Sequence, residues 1–338
     1  MSVVSGAGVL SPVVVVNMDC QEDEVLVRKV YEMYHKISRL ENLNPSDHVN
    51  TLFTQLVLTC MSPCHIDVTK LSKRVQDMRC RLIKLCGKAE GLLESHFSTL
   101  IGSQQNPLRH IGLFPYYTNY LKLTNLEFTM LGKEYCDGQV PTKIAFLGSG
   151  PLPLTSIILA SQHLKTTTFH NYDIDPLANY KAWQLVSSDP DLSKRMFFHT
   201  LDVMDLSSQA LEEYEVVFLA ALVGMGKEEK TQIIDHLALH MAPGAFLLLR
   251  SSHGARAFLY PVVGPHELQG FEVLSVFHPT DEVINSVIVA RKCLRPVFPL
   301  NQGFNSTVSP SRCSEIQGFK SLNQVNIIEE STINEKLS

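Results

Sequence analysis

Lys143-Ile-Ala-Phe-Leu147, followed at once by Gly148-Ser149-Gly150 and a helical segment to about Leu164, is the stretch that decides the fold. An apolar run of strand length that ends in a glycine turn and opens a helix brings backbone close to a ligand. The third position of the dinucleotide fingerprint, where a glycine would stand, holds Pro153, and Pro151 precedes it. Proline suits a first helical turn, where its fixed φ and missing N–H cost nothing.

Toward the C-terminus, strand and helix alternate. Strands are expected at 167–173, 197–201, 216–221 and 245–250, with helices at 176–187 and 227–240. Such alternation argues for a parallel, doubly wound sheet. Two further runs, 271–277 and 283–290, have little between them and must pair antiparallel. A seven-stranded α/β sheet closed by an antiparallel hairpin is the class I methyltransferase-like, Rossmann arrangement.

Toward the N-terminus the period becomes helical. Leu26, Val30, Tyr34 and Ile37 share a face, and Asn44-Pro45 ends the run. A second helix, capped by Ser46 or Asp47, buries Val49, Leu52, Phe53, Leu56 and Val57. A third runs from about Thr69 to Ile101 with the stripe Leu71, Val75, Met78, Leu82, Leu85, Leu92, Leu93 and Leu100, and a fourth covers 119–135. The expected organisation is a flexible N-terminus at 1–20, a helical bundle at 21–138 and a Rossmann-like domain at 139–292. A disordered tail is expected at 293–338, where Ser, Asn, Pro and Gln dominate without a period.

Composition narrows the class of partner. The 338 residues are 45% apolar and only 19% charged, so a sizeable core is expected. Net charge is −5 and no Lys/Arg block makes a nucleic-acid stripe, which favours a small molecule over DNA or RNA. The eight cysteines include no CxxC and no zinc-finger spacing. Cys60, Cys64 and His65 have a metal-like look without a second half, so no metal is expected and reduced, cytoplasmic thiols are. The apolar run at 13–16 lacks the basic start of a signal peptide, and 216–225 is about half a membrane span, so no transmembrane segment is expected.

The strand ends describe the ligand. Asp173 closes the second strand, 23 residues past Gly150, where an acid accepts the hydroxyls of a ribose. Asp202 closes the third, where an acid meets the exocyclic amine of adenine. Aspartate also favours caps and turns for local reasons. Gly148, Ser149, Gly150, Asp173 and Asp202 at successive strand ends carry more weight together. S-adenosylmethionine has no pyrophosphate, so the absent third glycine counts against NAD more than against it. The expectation is S-adenosylmethionine as a substrate, with no bound cofactor. Residues 219–226 lack the D/N-P-P-Y/F element of amine methyltransferases. These residues leave open which carbon of the sulfonium is attacked.

Five longer strings are more specific. They are Gly87-Lys-Ala-Glu-Gly-Leu-Leu-Glu-Ser-His-Phe-Ser98, Asn106-Pro-Leu-Arg-His-Ile-Gly-Leu-Phe-Pro-Tyr-Tyr-Thr-Asn-Tyr-Leu121, Phe146-Leu-Gly-Ser-Gly-Pro-Leu-Pro-Leu154, Asn171-Tyr-Asp-Ile-Asp-Pro176 and Arg250-Ser-Ser-His-Gly-Ala-Arg-Ala-Phe-Leu-Tyr-Pro261. Over about 21–292 the chain resembles the plant nicotianamine synthases. The resemblance implies condensation of aminocarboxypropyl groups from three S-adenosylmethionine molecules into nicotianamine, releasing methylthioadenosine each time. It implies a role in iron and metal homeostasis through the product, a chelator, and no metal in the enzyme. A small-molecule methyltransferase and a non-catalytic S-adenosylmethionine binder are the alternatives.

That chemistry gives the helical half a task. An attacking α-amine, with a pKa of roughly 8 or above, is largely protonated and needs a base. Glu90 and Glu94 share a helix face. By themselves they read as a solvated acidic face; the resemblance makes them the base, without choosing between them. Tyr116, Tyr117 and Tyr120 can face a sulfonium through cation–π contact, hydrogen-bond the amine or carboxylate, or supply core and cap. Arg250 and Arg256 can grip substrate carboxylates, or pair on the surface. His110 and His253 read equally well as structural, and Trp183 as core.

Overall fold

The computed structural model describes residues 18–62, 66–134 and 139–294, with side chains from Asp23 onward. The run at 13–16, Cys64, His65 and the expected tail beyond Leu294 lie outside the described residues.

Four helices come first: α1 (Met18–Ile37), α2 (Asp47–Cys60), α3 (Lys73–Gly102) and α4 (Tyr117–Glu134). Ser46 Oγ accepts the Val49 N–H at 3.3 Å and so fixes the start of α2. The third helix starts later than its apolar stripe suggests. Val68–Lys70 is a separate 3₁₀ turn capped by Asp67, and Leu71 is extended before α3 begins. Leu100, expected in the stripe, is 42% exposed, whereas Ile101 is buried. One residue turns a helix by about 100°, so the two cannot share a face.

The sheet follows in chain order as β1 (Lys143–Leu147), α5 (Leu154–Ile158), β2 (Thr168–Asp173), α6 (Pro176–Val186), α7 (Leu192–Arg195), β3 (Met196–Thr200), α8 (Ser208–Leu211), β4 (Val216–Leu219), α9 (Lys227–His240), β5 (Phe246–Ser251), β6 (Phe271–Phe277) and β7 (Ser286–Lys292). Strand order is β3-β2-β1-β4-β5-β7-β6, with β7 antiparallel to both neighbours and the remaining pairs parallel. This is the class I methyltransferase-like sheet expected from the alternation. The last strand begins at Ser286 rather than at 283, because 278–285 is drawn into a loop tied down by Arg256, Asn119 and Lys122.

Both faces of the sheet are covered, which is why its strands read as apolar runs rather than alternating ones. Ile144, Phe146, Phe218 and Leu248 face a core with Ile157 and Leu185; Leu147, Val217 and Leu249 face one with Ile233 and Leu237. A third cluster joins Val30, Leu56 and Leu82 of the N-terminal helices to Phe258 and Leu259 after β5. Trp183, expected in the core, is 51% exposed and stacks on Tyr180. Helix α6 buries Ala178, Ala182, Leu185 and Val186, a face that leaves 183 pointing out. Strand order reverses between β1 and β4, which opens a crevice beyond their C-terminal ends.

Candidate active site

That crevice is a cavity of about 720 Å³ walled by Gly148–Ser156. Residues 220–224 after β4, Asp173, Asp202 and one face of α3 complete the wall. Gly148 and Gly150 have φ of +76° and +66°, a region that L side chains rarely occupy. A Cβ on Gly148 would sit 2.1 Å from Val223 Cγ2, and one on Gly150 would sit 2.9 Å from Glu94 Oε2. The second contact shows that α3 leans its Glu94 directly over the glycine turn.

Asp173 holds that turn from below: Oδ2 accepts the Gly150 N–H at 2.8 Å and Oδ1 the Asp175 N–H at 2.9 Å. Asp202 Oδ1 accepts the Met204 N–H at 2.9 Å, and both acids line the cavity. Ser149 Oγ is buried there without a hydrogen-bond partner. Thus all five expected cradle residues reach one cavity, and Asp173 also has the local structural task that a turn aspartate suggests.

Above the turn, Glu90 and Glu94 also line the cavity. Tyr120 Oη donates to Glu94 Oε1 at 2.8 Å and lies 3.4 Å from Glu90 Oε1, while Tyr260 Oη donates to Glu90 Oε2 at 2.8 Å. Burial raises both carboxyls above the usual range, and the Glu90 charge adds to the effect on Glu94, which reaches about 8. The tyrosine hydrogen bonds oppose the rise in each. Burial also drives the two phenols upward, so they remain hydroxyl donors. The result is a buried pair of carboxyls with raised pKa beside the glycine turn.

Other expected residues fall elsewhere. Tyr116 lines a neighbouring cavity, and Tyr117 packs against the core beside the sheet. Neither lines the main cavity. Arg250 does, but neither as a bidentate grip left open for a ligand nor on the surface. Its Nε and Nη2 donate to Glu127 at 2.6 and 2.9 Å, and Nη2 also to Thr155 Oγ1 at 2.6 Å, all buried. Only Nη1 is left for a ligand. Arg256 donates to the carbonyls of Pro279 and Asp281 and does not line the cavity. His110 lies in the 3₁₀ segment Pro107–Leu113, and His253 stacks on His278.

Tyr260, Glu127 and Lys230 escaped the sequence reading. Lys230 is buried with Nζ donating to the carbonyls of Ala220 and Ala221 at 3.3 and 3.1 Å, holding the loop that floors the cavity. Burial lowers its pKa to about 7. A lysine at a buried helical position was a legible signal; Tyr260 and Glu127 gave none, since their partners lie 170 and 123 residues away.

Residues 19–297 match the family model described as nicotianamine synthase protein. The chain belongs to the nicotianamine synthase family. Among its relatives is the nicotianamine synthase of Solanum lycopersicum, 59% identical over 94% of this chain and 100% of that protein. Nicotianamine synthase 3 of Arabidopsis thaliana is 58% identical over 93% of this chain and 97% of its own length. MtNAS, crystallised in complex with MTA and tNA, superposes with a TM-score of 0.64 at 20% identity, over 81% of this chain and 98% of its own. That last likeness is one of fold. As a member of the family the chain is an enzyme, a transferase that makes nicotianamine.

Proposed function

We propose that this enzyme condenses the aminocarboxypropyl groups of three S-adenosylmethionine molecules, with the sulfonium donor held at Gly148–Gly150, Asp173 and Asp202. The acceptor's α-amine attacks the donor's γ-carbon. A C–N bond forms, the C–S bond breaks, and the sulfur leaves with the bonding pair as methylthioadenosine. The proton lost by the amine passes to the Glu90/Glu94 pair. One observation carries this reading: Glu94 stands over the glycine turn, with its carboxyl raised to about 8. A base of that strength matches the amine it must deprotonate. Tyr120 and Tyr260 orient the pair. Tyr116 and Tyr117 support the Tyr120 side of the wall rather than meeting substrate, and Arg250 contributes only through Nη1.

The cytoplasm is the proposed location, in keeping with free Cys60, Cys80, Cys86 and Cys293. No described helix is long and apolar enough to cross a membrane. Iron and other metals enter as cargo of the product, which ties the activity to metal homeostasis. Incubation with S-adenosylmethionine alone, followed by mass spectrometry, tests the reading. Nicotianamine with methylthioadenosine is expected; S-adenosylhomocysteine would indicate a methyltransferase, and binding without product a non-catalytic receptor.

A further inference from the structure

Residues 278–285 form a strap between β6 and β7, held at several points. Arg256 donates to the carbonyls of Pro279 and Asp281 at 2.8 and 2.6 Å. Asn119 Nδ2 donates to the Glu282 carbonyl at 2.5 Å, and Lys122 forms an ion pair with the Glu282 carboxylate. Asp281 Oδ1 accepts the Val283 N–H at 3.0 Å, and Val283 is buried in the core. So many ties hold a short loop in one place, and what it presents there is Asn285.

Asn285 is 9% exposed, and its Nδ2 is buried without a hydrogen-bond partner. It lines the main cavity and also a second, largely apolar one of about 110 Å³ on the far side. Glu90, Tyr120 and Tyr260 line both as well, so these four side chains form the wall between them. A buried amide left unpaired destabilises a fold and is retained where a ligand completes it. The missing partner must be an acceptor. The nearby Glu90 and Glu94 carboxylates take the tyrosine hydroxyls, and Arg250, a donor only, offers the amide no acceptor.

We propose that Asn285 donates to the α-carboxylate of the acceptor, at the neck between the two cavities. The proposal rests on the function given above and identifies how the acceptor is recognised. An amino acid carries its amine and carboxylate on one carbon. An amine placed at Glu90 therefore brings its carboxylate to the same wall. Two acids there repel a carboxylate, and a neutral donor admits it without neutralising the base. Arg256, Asn119 and Lys122 act as positioning residues, through the strap.

The test compares the full-length wild type with Asn285→Leu, which removes the donor while keeping the branched shape, and Asn285→Asp, which sets a charge against the carboxylate. Nicotianamine formation from S-adenosylmethionine should fall on the order of tenfold in the first and further in the second, the effect of one hydrogen bond to a charged group. Calorimetric titration with nicotianamine should weaken in parallel. Methylthioadenosine, which lacks the aminocarboxypropyl arm, should bind all three proteins alike. The melting temperature of Asn285→Leu should equal or exceed that of the wild type, which separates lost recognition from lost folding. An active wild type whose variants match it in turnover or in nicotianamine affinity overturns the role of Asn285 alone. A wild type that neither makes nor binds nicotianamine overturns the functional reading with it.

Discussion

Glu94→Gln should lower turnover and raise stability at once, and the two effects should part company with pH. With Glu94 titrating at about 8, about one carboxyl in eleven is ionised at pH 7, and most are at pH 9. Wild-type turnover should therefore climb close to tenfold per pH unit below 8 and flatten above it. The amine of the acceptor titrates in the same range, so this limb alone does not identify the carboxyl. Stability does. The folded value lies above the usual 4.5, so the protein has its full stability below 4.5 and loses some as pH rises through 8. The interval from 4.5 to about 8 would be worth close to 5 kcal/mol in a sealed site. Glu94 faces an open cavity, and solvent screening cuts this to about 1–3 kcal/mol. Gln cannot ionise and escapes that loss. The melting temperature of Glu94→Gln should match the wild type near pH 4 and exceed it by a few degrees at pH 9. Turnover should fall about 10²- to 10⁴-fold, the range for removing a general base. Stopped assays of methylthioadenosine release and thermal melts across pH 4 to 9 measure both. Near-wild-type turnover in the variant, or a melting difference that ignores pH, would refute the reasoning.

Two further substitutions probe the surroundings of the pair. Tyr260→Phe removes the hydrogen bond that stabilises ionised Glu90, so Glu90 should hold its proton to higher pH, its charge should press less on Glu94, and the pH–rate curve set by Glu94 should move acidic; a curve that stays put or moves alkaline counts against this geometry. Glu127→Gln leaves Arg250 buried and uncompensated, at about 3–5 kcal/mol, a fall of roughly 5–8 °C in melting temperature. Adding Arg250→Met should restore much of that stability without restoring turnover, as followed by differential scanning calorimetry.

The sheet was legible because its signals are local. A strand needs a few consecutive apolar residues, and a turn needs glycines in sequence, so 143–150 announced itself. Helix α9 likewise spans the 227–240 read from its period. Trp183 and Leu100 misled because burial on a helix depends on which face another element covers. Periodicity names the candidate faces but cannot say where a partner lies. Arg250 was only partly legible, for a related reason. Its position at a strand end suggested a ligand, while Glu127, 123 residues earlier, had no spacing to mark it as the partner.

By itself the sequence determined the family, the doubly wound sheet, the glycine turn after its first strand, and two acids sharing a helix face. These depend on short-range order, where adjacent residues set backbone geometry and periodicity. Only the tertiary structure decided that α3 crosses the glycine turn, so that Glu94 meets Gly150, and that Tyr120 on α4 and Tyr260 after β5 both reach the two acids. It likewise decided that Asn285 stands unpaired between two cavities. A carboxyl becomes a base near neutral pH through burial and neighbours, and neither is a property of the residues beside it in the chain.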